Sequence, residues 1–321
     1  MNRLVRVLAA IAATWISSAV VAAEGTLFVA NGGGNAVVEF PLPAGPGSPF
    51  VLPGSGGLVD PRGVVFGPDG NLYVTGTGAT QGQVLRYDGN TGAFLNLFAT
   101  TADNSPFGLR FGADGNLYVA NLLSASVSRF NGSTGALIGN FVVPGSGGLD
   151  APRDLTFGAD GDLFVSSPGS VSGGAVLRFD GVSGAFEGSF ATGVDPRGLA
   201  FGPGGDLFIA SFGTDDIRRF DGITGVFEGI FASGGGLDGP VGLAFGPDST
   251  LYVSSFNTGQ ILHYSEAGAF VDARGGNLNS PRLLTLAAVT PVPEPETFAL
   301  LLAGIAAIAV RARRRLVSVD S

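Results

Sequence analysis

Cysteine is absent from the 321 residues. That excludes thiol nucleophiles, structural disulfides and thiolate metal sites. Lysine is absent too, so all 17 basic residues are arginine. Charge is sparse, at 13% of residues, and acid outweighs base for a formal net charge of −9. Within residues 24–290 the imbalance sharpens to 11 arginines against 23 carboxylates, a net of −12. A surface of that sign repels phosphate backbones, which argues against nucleic acid as a partner. There is a single histidine, His263, and no apolar run long enough to cross a bilayer unaided.

Glycine is abundant instead, at 54 residues, with 19 prolines and 25 phenylalanines, and 45% of the chain is apolar. Aromatic residues at that density require a buried core, so the glycine is read as turns between many short strands rather than as disorder. A core of this size does not need disulfides even in an exported protein.

The two ends differ from the body. Residues 1–23 carry Arg3 and Arg6, an apolar stretch from Val7 to Val21, and then Ala22-Ala23. This is the layout of a secretory signal peptide cut after Ala23. Residues 290–297 form a Pro/Glu linker, 298–310 a short apolar segment and 311–321 a basic tail. Thirteen apolar residues make a helix of only ~20 Å, against a hydrocarbon core of ~30 Å. Arg311, Arg313, Arg314 and Arg315 behind it would stay cytoplasmic. The order Pro293-Glu294-Pro295, apolar helix, arginine block resembles the PEP-CTERM sorting signal of Gram-negative bacteria that make extracellular polysaccharide. That resemblance implies an exosortase-type peptidase as a processing partner and a cell-envelope or extracellular destination.

The body repeats. The aromatic of an L-F/Y-V/I segment recurs at Phe28, Tyr73, Tyr118, Phe164, Phe208 and Tyr252, at intervals of 45, 45, 46, 44 and 44 residues. An F-G turn precedes it at Phe66, Phe111, Phe157, Phe201 and Phe245, and a V/I-x-R/H/E-F/Y strand follows. Asp-Gly turns tolerate the positive φ of tight hairpins, so each unit reads as four antiparallel strands, a to d from the centre outward. Four such strands in ~45 residues make one blade of a β-propeller. The first unit lacks its strand a, and PRLLTLA (281–287) supplies an unpaired strand a at the other end. Pairing the two closes a six-bladed, all-β ring over residues 24–289 and hides both raw edges. The pattern resembles the NHL-repeat propellers and, more loosely, the gluconolactonase-like and streptogramin-lyase-like ones, which speaks to fold more than to activity.

A functional site is expected where strands a begin and strands b end. Arg62, Arg153, Arg197 and Arg282 occupy one repeat position there, with Phe107 and Val241 in the other two blades. Each arginine shares parity with the buried stripe after it, which places the guanidinium at the top of the core. Four arginines round one opening would clamp a carboxylate, sulfate or sugar acid; equally, each would pair with a nearby carboxylate such as Asp60 or Asp195. At the exits of strands b stand Asn31, Asn121, Ser167, Ser211 and Ser255, with Phe212 and Phe256 beside the last two. Polar groups with aromatic rings suit carbohydrate. His263 fills the position held by Arg86, Arg129, Arg178 and Arg219 in the middle of strand c, a structural place. Asp154 is the one carboxylate at the start of an inner strand, and one is too few to cage a hard cation. The G-S-G-G stretches at 54–57 and 145–148 read as flexible surface loops. No cofactor is implied. The expected role is a binding or scaffold module for an extracellular polysaccharide or a protein; the alternative is a hydrolase or lyase acting on a lactone or sugar-derived substrate.

Overall fold

Edge-to-face aromatic packing organises the ring. In a computed structural model, which describes residues 25–42, 45–101, 103–169 and 173–287, the repeated aromatic of strand b meets two further rings in five of the six blades. Tyr73 packs against Phe98 of its own outer strand at 4.9 Å and against Phe111 of the next blade's inner strand at 5.0 Å. Phe28, Tyr118, Phe164 and Phe208 do the same. Ring pairs in this geometry add ~0.5–1.5 kcal/mol each beyond area burial. They also fix the angle between neighbouring blades.

Six four-stranded antiparallel sheets result. We number the blades I to VI from the one containing the first strand. Blade I combines Gly25–Asn31, Ala36–Leu42 and Ser48–Val51 with the innermost strand Pro281–Ala287, drawn from the far end of the propeller. The seam pairs Thr26 with Ala287, Leu27 with Leu286, Phe28 with Thr285 and Val29 with Leu284. The expected closure is therefore present, strand for strand. Inner strands Val64–Phe66, Pro106–Phe111, Leu155–Phe157, Pro196–Phe201 and Pro240–Phe245 open blades II to VI.

The seam between blades VI and I departs from the aromatic rule. Leu286 stands where Phe66 or Phe111 stand elsewhere, and Tyr252 stacks flat on His263 at 4.4 Å. Arg274 lies over the Tyr252 ring at 5.4 Å and pairs with Asp272 at 3.2 Å. The histidine thus takes the stacking role of the arginines it replaces, and Arg274 restores the charge.

The G-S-G-G stretches are wound into short 3₁₀ turns at Ser55–Gly57 and Ser146–Gly148, not left as flexible loops. Gly56 and Gly147 sit at φ 63°, and a side chain on either would collide with Phe94 or Phe186. Among the described residues no helix is long and apolar enough to cross a membrane. The signal peptide (1–23), the sorting motif Pro293-Glu294-Pro295, the apolar helix at 298–310 and the basic tail lie outside the described residues.

Candidate functional site

At the start of each inner strand a proline precedes the residue that faces the axis: Pro61, Pro106, Pro152, Pro196, Pro240 and Pro281. After them come Arg62, Phe107, Arg153, Arg197, Val241 and Arg282. One position further lies Gly63, Gly108, Asp154, Gly198, Gly242 or Leu283. The glycines let neighbouring inner strands touch: a Cβ on Gly198 would strike the Val241 carbonyl, and one on Gly63 the Phe107 carbonyl.

Hydrogen bonds then tie strand to strand round the axis. Thr75 Oγ1 donates to the Phe107 carbonyl at 2.6 Å. Gly108 N donates to the Arg153 carbonyl at 2.8 Å and Leu283 N to that of Arg62 at 3.1 Å. Ser254 Oγ reaches the Arg282 carbonyl at 2.6 Å, and Leu199 N reaches Asp154 Oδ2 at 3.1 Å. Phe107, Val241 and Leu283 come from blades III, VI and I and pack into one buried cluster. Blades III and VI face each other across the ring, so this cluster plugs the axis.

Above the plug is a cavity of about 260 Å³ lined by Phe107, Arg153, Arg197, Phe212, Val241, Phe256 and Arg282. The guanidiniums lie over aromatic faces. Arg62, Arg153 and Arg282 surround Phe107 at 5.6, 5.0 and 5.5 Å. Arg197 covers Phe212 at 4.6 Å, and Arg282 also approaches Phe256 at 5.9 Å. Stacking of this kind holds an arginine in place without consuming its donors.

Carboxylates satisfy the arginines unequally. Asp60 serves two of them: Arg62 Nε donates to it at 3.0 Å and Arg282 Nη2 at 2.7 Å. Arg197 stands 3.4 Å from Asp195. The Arg153 guanidinium has no hydrogen bond and no carboxylate partner among the described residues, and its Nε is buried without an acceptor. Burial, and then the charges of Arg197, Arg62 and Arg282, push the Arg153 guanidinium down to about 10. Arg282 is lowered by burial and held up by Asp60.

The polar residues at the strand b exits turn away from this cavity. Asn31, 9% exposed, accepts from Asn279 N at 2.7 Å. Asn121, 1% exposed, donates to Ser126 and Ser128 at 3.2 and 2.8 Å. Both pin loops. Ser255 exchanges hydrogen bonds with the backbone of Asp238, and Ser211 accepts from Thr214. Of the sequence candidates, Arg153, Arg197, Arg282, Phe212 and Phe256 converge on the cavity, with Arg62 behind Phe107; Asn31 and Asn121 do not reach it. Phe107 and Val241 complete the wall, and their signal was their place in the arginine column.

Asp154, next to Arg153 in the chain, is only 1% exposed. Burial raises its carboxyl, against the pull of Arg110 at 3.6 Å and of the Leu199 and Leu155 amides. Its Oδ1 has no partner.

The hairpin face holds other acidic groups and a larger hollow of about 560 Å³ between blades III and IV. Asp162, Asp180 and Glu187 lie together, as do Asp206, Asp221 and Glu228. A guanidinium already fills each group: Arg178 Nε reaches Asp162 and Glu187 at 2.8 Å, and Arg219 Nε reaches Asp206 at 2.9 Å and Glu228 at 2.7 Å. Each guanidinium there has carboxylate partners to spare, three acids to one arginine, whereas the Arg153 guanidinium has none.

Residues 291–315 match the family model described as the PEP-CTERM protein-sorting motif. The chain ends in a PEP-CTERM signal. This signal implies export, cell-envelope sorting, processing by an exosortase and membrane anchoring. No curated protein matches the chain. Among solved structures, a chain of a nidogen/laminin complex aligns with TM-score 0.67 and 14% identity, over 83% of this chain and 98% of that one. Virginiamycin B lyase from Staphylococcus aureus aligns with TM-score 0.54 and 18% identity, over 70% of this chain and 73% of that one. At these identities the likeness is one of fold.

Proposed function

We propose that this protein is a binding module of the cell envelope of a Gram-negative bacterium, exported by a cleaved N-terminal signal peptide and held by its tail, whose axial cavity captures an anionic ligand. Arg153 carries the reading. A guanidinium stacked on Phe107, flanked by three more cations and left without a carboxylate, is costly to the fold unless an anion visits it. Arg197 and Arg282 would complete the clamp through donors their aspartates leave free, Arg62 would add positive charge from behind Phe107, and Phe212 and Phe256 would take the apolar face of the ligand.

The direct test is a melting experiment on the full-length protein in detergent with galacturonate, sulfate and neutral galactose. Galacturonate should raise Tm and galactose should not. The same preparation, incubated with aldonolactones and added calcium, zinc or manganese, checks the hydrolase or lyase alternative. Metal-dependent turnover there would overturn the binding-only reading.

A further inference from the structure

Taking the cavity as a ligand site, as proposed above, the shape and charge around it restrict how a ligand can enter. The Phe107–Val241–Leu283 plug and the interlocked inner strands close its floor, so no chain threads the axis. Its volume, about 260 Å³, falls below the ~300–1,000 Å³ of pockets that hold drug-sized ligands. It suits one ring-sized group.

The charge pattern is concentric. At the centre four guanidiniums face two carboxylates, Asp60 and Asp195. The loops that deliver the inner strands carry further aspartates just upstream of the cavity residues: Asp103 before Phe107, Asp150 before Arg153 and Asp238 before Val241. Asp150 and Asp238 are exposed. A single anionic group is therefore attracted to the axis, while anionic groups continuing outward on the same chain meet carboxylates within the ~8–10 Å over which charges act in physiological salt. A small carboxylate on a ring also matches the donors, since the guanidinium fork of Arg153 accepts a carboxylate in bidentate fashion and the phenylalanines accept C–H faces.

We infer that the cavity recognises the terminal uronic acid of a glycan end-on and rejects internal segments of a polyuronate chain. Titration calorimetry of the full-length protein with galacturonate, digalacturonate and two polygalacturonates, short and long, tests this. Monomer and dimer should bind with affinities within about threefold of each other, since the second residue gains little beyond the rim. At equal mass concentration the long polymer should bind less than the short one, in proportion to its fewer ends. Arg153→Ala and Arg153→Gln should each weaken the monomer at least tenfold, with circular dichroism unchanged.

Equal binding of the two polymers per unit mass would overturn end-on recognition and leave the anion site standing. Tighter binding of inorganic sulfate than of galacturonate would overturn the uronate assignment. Failure of every anion to bind would remove this inference together with the reading beneath it.

Discussion

Arg153 and Asp154 are adjacent in sequence and opposite in circumstance. The first is a cation without an anion, the second a carboxyl pressed out of water with one oxygen unpaired. Replacing Arg153 by methionine keeps the stem over Phe107 and removes the like-charge crowding. Its expected effect is a gain of about 0.5–2 kcal/mol in stability, read as a higher Tm, with loss of anion binding. A lower Tm for Arg153→Met would mean that the guanidinium serves the fold. Much of this was legible beforehand, because the arginine column recurs at one repeat position and parity points it inward. So were the pairs Arg62–Asp60 and Arg197–Asp195, two residues apart; the partner of Arg282 was not. Arg282 finds its aspartate 222 residues away in sequence, across the seam, and only ring closure brings Asp60 between two arginines. Asn31 and Asn121 looked like mouth residues by position, but each bonds inward to a neighbouring loop or strand, a choice repeat spacing does not record.

Inner strands in a propeller usually diverge enough to leave an axial channel, and here glycine lets them converge. Gly198→Ala would drive a methyl into the Val241 carbonyl at the blade V–VI junction. Backbone on both sides leaves little room to yield, so a cost of about 1–3 kcal/mol is expected. Denaturant unfolding that shows no change in midpoint would refute the tight junction. The hairpins at the other end of each blade illustrate the reverse case, where local chemistry alone suffices. Asp88, Asp180 and Asp221 each accept hydrogen bonds from the hydroxyl and amide three residues on, and Asn131 does the same job in blade III. Those turns were readable from D-G-x-T/S-G alone. The 3₁₀ form of the G-S-G-G turns was not, because Phe94 and Phe186, which lie against them, come from a strand some forty residues later.

For the molecule as a whole, acid should act through those turns. Bonds from Thr91, Ser183 and Thr224 hold Asp88, Asp180 and Asp221 below the ordinary carboxylate value of 3.8. A depressed folded-state value means stabilisation that is present above the unfolded value and lost as pH falls through the folded one. Tm should therefore decline below about pH 4. Changing all three to asparagine, the residue blade III already uses, should flatten that decline; an unaltered acid limb would show that other carboxylates govern it. Asp154 works in the other direction, its raised carboxyl costing stability as pH climbs above 3.8.

The zipper of Thr26–Val29 with Leu284–Ala287 ends before the sorting motif begins, with residues 288–292 between Ala287 and Pro293. A peptidase cutting at Pro293–Pro295 would sever no strand of the wheel. The first and last strands meet at Thr26 and Ala287, at the hairpin end of the seam, remote from the arginines. If the cavity binds as proposed, severing the tail would leave its lining and the closure of the ring untouched.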